Sequence, residues 1–117
     1  MNNSAESVLK IYASTSDKIG HQLLYEFILH QAKEKGISGV TVYRGIMGYG
    51  RSSEISGSKF WELTEKLPVI IELIDSTSLL EDFYHQIEEN LIQMPKGCLV
   101  TMEEIRVKLR KKGKSNI

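Results

Sequence analysis

The stretch LPVIIELID, residues 67–75, is an apolar run interrupted only by a proline near its beginning and by two acidic residues. Valine and isoleucine are enriched in β-strands, and a run of this length suits a strand better than a helix. Pro68 has no backbone N–H to donate, so it belongs at the first position of such a strand. The stretch therefore predicts a strand that begins at Pro68, and the elements on either side can be placed from it.

Two amphipathic helices are predicted, one on each side of this strand along the chain. For the helix that follows, Ser78 and Glu81 have the spacing of a capping box. For the earlier helix, Ser16 or Asp17 can cap the beginning, and Gly36 supplies the end. Apolar residues recur at helical spacing in both segments, at Ile19, Leu23, Leu24, Phe27, Ile28 and Ala32, and at Leu80, Phe83, Tyr84, Ile87 and Leu91.

Three further strands complete the pattern. They are predicted at residues 7–14 (SVLKIYAS), 39–45 (GVTVYRG) and 97–109 (GCLVTMEEIRVKL), with a break near Glu103 as an alternative for the last. The order is β-α-β-β-α-β, and the chain is long enough for a single domain, residues 1–117. This order predicts the α+β ferredoxin-like fold, a four-stranded antiparallel sheet with both helices on one face.

The second face of such a sheet carries no helix. The residues expected to face the helices are Leu9, Ile11, Val40, Val42, Val69, Ile71 and Leu73, which leaves Tyr12, Thr41, Tyr43, Ile70, Glu72 and Ile74 on the open face. That face is too apolar to remain in water. We expect a homo-oligomer that buries it, closed by cyclic symmetry.

The connection between the second and third strands, residues 46–66, is far longer than an ordinary hairpin loop. Loops of this length are usually functional or disordered, and aromatic residues favour the first interpretation here. Phe60 and Trp61 are candidates for partner contact, although Trp61 can equally fold back onto its own domain. Glycines at the base of the loop let the chain turn sharply and bring N–H groups close to an anion, or simply form a flexible hairpin base.

Charge is distributed unevenly along a chain whose formal net charge is zero. Six basic residues gather at the end of the chain, at Arg106, Lys108, Arg110, Lys111, Lys112 and Lys114. Without them the chain holds nine basic and fifteen acidic residues, a net charge of −6, which argues against a general nucleic-acid surface. The basic tail, about 106–117, is interpreted as a solvated tail or as a contact for an anion or phosphate.

No residues have the spacing of a catalytic or metal site. The three histidines do not lie at metal-ligand spacings, so no metal site is expected. Cys98 is flanked by Leu99 and Val100, which predicts a buried thiol rather than a nucleophile. Neither a signal peptide nor a run long enough to cross a bilayer occurs in the sequence. These features predict a cytoplasmic binding protein without membrane insertion, and not an enzyme.

The stretches GHQLLYEFILHQAKEKGISGVTVYRGIMGYGRSSEI and LPVIIELID strongly resemble the PII-like family known as domain of unknown function 190. The resemblance runs from about Ser7 to Lys108 and extends more widely to the PII signalling proteins. It implies a ferredoxin-like homotrimer that binds an adenine nucleotide in clefts between subunits. It also implies that residues 46–66 are a T-loop, the segment through which PII proteins contact their partners.

Position by position, the resemblance implies a set of ligand-binding residues. Gly48, Tyr49, Gly50 and Arg51 resemble the Gly-Phe-Gly-Arg at the base of the PII T-loop, and Arg106 and Lys108 lie in a segment, residues 105–108, similar to the Ile-Arg-Ile-Arg whose basic residues reach phosphates. Lys96 and Gly97 stand where PII proteins have a longer glycine- and lysine-rich loop, shortened here to QMPKG. No residue matches the modified T-loop tyrosine of the bacterial PII proteins.

The function that the resemblance implies is regulation rather than catalysis. The ligand is expected to be an adenine nucleotide (ATP, ADP, AMP or a cyclic dinucleotide) or a similar anion bound between subunits. The T-loop is expected to engage a partner protein, either a membrane transporter or an enzyme. The alternative is a trimeric divalent-metal-binding protein that resembles the divalent-cation tolerance family, which needs metal ligands at subunit interfaces.

Overall fold

In a computed structural model, the described residues are 5–49, 56–57 and 67–114. Four strands and two helices form the domain, in the order β1 (Glu6–Ser14), α1 (Leu24–Lys35), β2 (Gly39–Arg44), β3 (Pro68–Ser76), α2 (Thr77–Gln93) and β4 (Leu99–Ile105). Two short antiparallel ladders accompany them, Lys18–Ile19 with Gln22–Leu23 and Met47–Gly48 with Ser56–Gly57. The predicted fold class, α+β with an antiparallel four-stranded sheet, is confirmed.

The strands of the main sheet lie in the order β2-β3-β1-β4, so β1 and β3 are central and β2 and β4 are edges. Every neighbouring pair is antiparallel. Ile70 lies opposite Tyr12 on one side and opposite Tyr43 on the other, which fixes the register of three strands in one row. Pro68 is the first residue of β3, as its missing N–H requires.

The hydrophobic core lies between the sheet and the two helices. The predicted inward-facing strand residues and the apolar stripes of both helices meet there, and the fully buried members include Leu9, Ile11, Ile71, Leu73, Leu24, Ile28, Leu80, Phe83 and Ile87. Apart from Val8, which is buried, the side chains of opposite parity on β1 and β3 remain at least partly exposed towards the open face. The prediction of one covered and one open sheet face is therefore confirmed for the described strands.

The predicted beginning of α1 was wrong. The helix begins at Leu24, and the N-cap residue, Leu23, makes no side-chain capping bond. Asp17 instead closes the turn after β1, because its Oδ2 accepts a hydrogen bond from the Ser14 N–H at 2.9 Å. Its carbonyl oxygen also accepts from the Leu24 N–H at 2.8 Å. The intervening residues form a small hairpin rather than a helical turn.

The predicted cap of α2 was also misplaced, by two residues. Ser76 is the N-cap, and its hydroxyl accepts a hydrogen bond from the Leu79 N–H at 3.3 Å. The helix begins at Thr77 directly after β3, and the Thr77 N–H donates to the Ala5 carbonyl at 2.9 Å. Gly36 ends α1 in the left-handed conformation with φ of 89°, as predicted.

The last strand is shorter than the predicted segment 97–109. It ends at Ile105, which lies opposite Glu6, the first residue of β1. Residues beyond Ile105 have no strand left to pair with, so they leave the sheet without regular structure. The basic residues Arg106 and Lys108 therefore belong to a separate C-terminal segment and not to the sheet.

Candidate ligand site

The chain just after β2, at the base of the long connection to β3, approaches the beginning of β3 closely. The Gly45 N–H donates a hydrogen bond to the Pro68 carbonyl oxygen at 2.7 Å. A Cβ at Gly45 would lie 3.3 Å from the Pro68 Cβ, and a Cβ at Gly48 would lie 3.3 Å from the Pro68 Cγ. Both distances are tighter than ordinary carbon contacts, so glycine lets the chain fold over the proline ring. These two glycines have a packing reason for their place in the sequence.

Apolar side chains project into solvent beside this contact. Ile46 is 81% exposed and Tyr49 is 76% exposed, and Met47 between them is more than half exposed. Four predicted site residues lie outside the described part of the chain. They are the ligand-binding residues Gly50 and Arg51 and the partner contacts Phe60 and Trp61. The described part of the loop base therefore presents an exposed apolar cluster, Ile46, Met47 and Tyr49, at the end of edge strand β2.

Lys96 and Gly97 lie at the same end of the sheet but at its opposite edge. They belong to the exposed connection between α2 and β4. Leu99, which begins β4, is opposite Tyr12, and two further strands separate it from the end of β2. Three strand spacings amount to about 14 Å. Within one chain, Lys96 and the base of the connection between β2 and β3 therefore do not form a common pocket.

Arg106 and Lys108 follow the far end of β4. The seven residues of that strand span roughly 20 Å, which separates these two cations from Lys96. Both side chains are exposed. The structure thus distributes the described members of the predicted site over three places, at two edges and two ends of one sheet. No single place in one chain brings all of these residues together.

The open face of the sheet consists of well-defined rows across the four strands. Its apolar row contains Tyr43, Ile70, Tyr12 and Leu99, in spatial order. The next row is polar and contains Thr41, Glu72, Lys10 and Thr101. Tyr12, Tyr43 and Leu99 are 37%, 42% and 58% exposed. An apolar row of this width without helices above it suits burial against another copy of the chain.

The structure also reveals an ion pair that the sequence pattern did not indicate. Arg110 donates to both carboxylate oxygens of Glu6, with Nη2–Oε1 at 2.9 Å and Nη1–Oε2 at 3.4 Å. This hydrogen-bonded carboxylate raises the pKa of Arg110. The two residues are 104 positions apart in the chain, so no local spacing could have suggested the contact.

The predicted burial of Cys98 was wrong, because the residue is exposed. It lies in the connection that precedes β4. Partial withdrawal of its sulfur from water raises the pKa of the thiol, and the Asp17 carboxylate raises it further. A raised pKa lowers the thiolate fraction, which is the opposite of what a nucleophile needs.

Two other observations concern metals and membranes. Among residues 5–49, 56–57 and 67–114, no group of three or more histidine, cysteine or carboxylate side chains is placed to hold a metal ion. Neither helix in this part of the chain is both long and apolar enough to cross a bilayer.

The strand order and the two helices on one face define a ferredoxin-like fold, which PII-like proteins share. The chain belongs to the family DUF190 (Uncharacterized ACR), whose family model matches residues 6–107. A UPF0166 protein from Aquifex aeolicus is 32% identical to it over 102 residues, which cover 87% of this chain and 92% of the relative.

Solved structures share this fold at low sequence identity. A PII-like signaling protein from Thermus thermophilus has a TM-score of 0.62 at 16% identity, covering 90% of this chain and 91% of that one. CPII, a nitrogen regulatory PII-like protein from Thiomonas intermedia bound to ADP, AMP and bicarbonate, has a TM-score of 0.61 at 14% identity, covering 91% and 96%. The divalent ion tolerance protein CutA1 from Ehrlichia chaffeensis has a TM-score of 0.58 at 14% identity, covering 92% and 88%.

Proposed function

We propose that this protein is a non-enzymatic PII-like regulator that binds an adenine nucleotide between copies of its chain and contacts a partner protein through its T-loop. The observation that carries the proposal is the separation of the predicted ligand residues. Gly48 and Tyr49 lie at the β2 edge, and Lys96 and Gly97 lie at the β4 edge of the same end of the sheet. The C-terminal cations Arg106 and Lys108 lie at the other end of the sheet. A single subunit therefore offers only part of such a site at each place.

Association of copies would complete the site. The open face supplies a surface that suits association, and a neighbouring copy would bring its own β4 edge towards the T-loop base of the first. Backbone N–H groups at the glycine-rich loop base would then approach the phosphates. Arg51, Arg106 and Lys108 would add charge-assisted hydrogen bonds. We expect the assembly to be a homotrimer.

An adenine nucleotide is the preferred ligand class. CPII shares the fold and was solved with ADP and AMP. In this chain the cations available to phosphate groups are exposed and lie next to loops rather than in the core. ATP and cyclic dinucleotides carry the same phosphate chemistry and belong in the same titration.

The exposed apolar cluster of Ile46, Met47 and Tyr49 supports a role in protein contact. It lies at the root of the T-loop, so ligand binding at the loop base and partner binding further along would share one element. A ligand changes partner affinity only if it binds one conformation of that element better than another. The target class we propose is a membrane transporter or an enzyme.

Calorimetric titration of the purified protein with ADP, AMP, ATP and a cyclic dinucleotide tests the proposal, with separate titrations of Zn²⁺ and Cu²⁺. Saturable nucleotide binding near one equivalent per subunit supports it. The fold similarity to CutA1 favours divalent-metal binding as the second candidate. Metal binding without any nucleotide binding would overturn the nucleotide proposal and support that candidate.

A further inference from the structure

The C-terminal segment, residues 106–110, turns back across one end of the open sheet face. A cleft of about 260 Å³ lies there, lined by Ser38, Gly39, Ile74, Ile105, Val107, Leu109 and Arg110. Gly39 and Ile74 belong to β2 and β3, which lie beyond β1 from the edge strand that the segment has just left. The segment therefore runs over the sheet and does not continue away from it.

The burial of β1 agrees with this path. Val8 and Tyr12 point to the same open face, but Val8 is only 7% exposed while Tyr12 is 37% exposed. Val8 lies at the end that carries the C-terminal segment, opposite Ile74 and Glu103 in the sheet register. The row around Tyr12 and the polar row beside it, which contains Lys10 and Glu72, are left accessible to another copy of the chain.

Arg110 anchors the end of this path to the beginning of β1. Its guanidinium group contacts both oxygens of the Glu6 carboxylate, at 2.9 and 3.4 Å. Two-point contacts between arginine and carboxylate fix orientation as well as position. The Glu6 side chain is 26% exposed, so the pair lies at the surface but is partly shielded from water.

Residues 105–109, between the end of β4 and Arg110, alternate between side chains that line the cleft and side chains that do not. Ile105, Val107 and Leu109 line the cleft, whereas Arg106 and Lys108 do not. An extended chain points successive side chains in opposite directions. Ile105 and Val107 are turned towards the sheet, whereas Leu109 lies at the mouth of the cleft and is 80% exposed. Arg106 and Lys108 are presented on the outer side of the segment, where an anion can approach.

We infer that Arg110 is a positioning residue: its pairing with Glu6 holds residues 106–110 across the sheet and thereby orients Arg106 and Lys108 for an anionic ligand. The statement about the ligand rests on the proposed function, but the statement about the segment does not. Arg110 itself is engaged by Glu6 and is not assigned a ligand contact.

Backbone ¹⁵N relaxation of the ligand-free protein tests the anchor directly. We expect order parameters near 0.8 at Val107 and Leu109 in the wild type, and a drop below about 0.6 in Arg110→Ala or Glu6→Gln. The charge-swapped double variant, Glu6→Arg with Arg110→Glu, should restore them. Lys112→Ala is the matched control, since Lys112 makes no ion pair with the described part of the chain and should leave them unchanged. Unchanged order parameters in Arg110→Ala would overturn the inference.

Calorimetry with ADP tests the consequence for binding. Arg110→Ala should weaken ADP binding about two- to fivefold, the effect expected of a partly exposed ion pair, and the charge swap should recover most of it. If Arg110→Ala frees the segment while ADP binds as tightly as before, the positioning role is wrong. If the wild type binds no adenine nucleotide, the proposed function fails, and the order parameters alone decide whether Arg110 holds the segment.

Discussion

Lys10 and Glu72 lie directly opposite each other on β1 and β3, with Nζ 4.0 Å from Oε2. The pair lies within the open face, in the polar row beside the apolar row of Tyr12 and Tyr43. An exposed ion pair contributes about 0–1 kcal/mol, whereas breaking a pair that is buried costs about 3–5 kcal/mol. Both side chains remain slightly more than a quarter exposed in a single subunit. The strength of this pair therefore reports whether another copy covers the face.

We expect Lys10→Met to lower the free energy of unfolding of the assembled protein by about 3–5 kcal/mol, because it leaves the Glu72 carboxylate buried without a partner. The double variant Lys10→Met with Glu72→Met should recover most of that loss. Denaturant unfolding at several protein concentrations measures both effects. A loss below about 1 kcal/mol would mean that the face stays in water.

Tyr43→Asp should shift the protein from the proposed trimer towards monomer, since it places an unpaired charge in the apolar row of the open face. Leu29→Asp on α1 is the matched control, because Leu29 is 41% exposed and Tyr43 is 42% exposed. Sedimentation equilibrium distinguishes the two variants. Dissociation by both to the same degree, or a monomeric wild type, contradicts an interface on this face.

Gly45→Ala and Gly48→Ala should each destabilise the protein by roughly 1 kcal/mol, because each added Cβ would lie 3.3 Å from Pro68. Double variants that combine each glycine substitution with Pro68→Ala distinguish the contact with the Pro68 Cβ from the contact with the Pro68 Cγ. The Gly48 contact is with the Pro68 Cγ, which alanine lacks, so that double variant should recover. The Gly45 contact includes the Cβ, which remains, so recovery there should be incomplete.

Thermal unfolding of these four variants and of Pro68→Ala alone provides the measurement. Gly113→Ala is the control because its added Cβ meets nothing within 4 Å. Equal recovery in the two double variants would show that the packing over Pro68 is not the reason for the two glycines.

Arg51→Ala and Arg106→Ala should each weaken ADP binding about tenfold to a hundredfold. Charge-assisted hydrogen bonds are typically worth about 1.5–3 kcal/mol, and every 1.4 kcal/mol corresponds to a factor of ten. Lys112→Ala should change the affinity by less than about threefold, as expected of a screened surface charge. Calorimetry measures all three, and indistinguishable behaviour of Arg106→Ala and Lys112→Ala would remove the phosphate role of Arg106.

Cys98 should react slowly with iodoacetamide although it is exposed. Its raised pKa keeps more of the thiol protonated at pH 8 than in an unfolded chain, and only the thiolate reacts. The midpoint of the alkylation rate against pH should therefore lie above that of the same protein in urea. Asp17→Asn should lower the midpoint only in part, because burial is the larger cause and the amide oxygen can still accept from Ser14. A folded-state midpoint at or below that in urea contradicts this account.

The order of the strands and helices could be predicted from the sequence because it depends on local periodicity. Residues 67–75 alternate between covered and open faces in the structure as their pattern indicates, and the stripe from Leu80 to Leu91 is buried as its helical spacing requires. The stop at Gly36 depends only on the left-handed backbone that glycine adopts readily. None of these features requires knowledge of a distant partner.

The tertiary structure alone decided the features that depend on which segments meet. The last strand ends at Ile105 because β1 begins at Glu6, and the sequence after Ile105 contains no signal for that limit. Arg110 pairs with Glu6 at the same end of β1. The sequence alone indicated only that Arg110 was one of several basic residues in the C-terminal tail. Strand register and ion pairing join residues about a hundred positions apart, and no periodicity within either segment encodes where its partner ends.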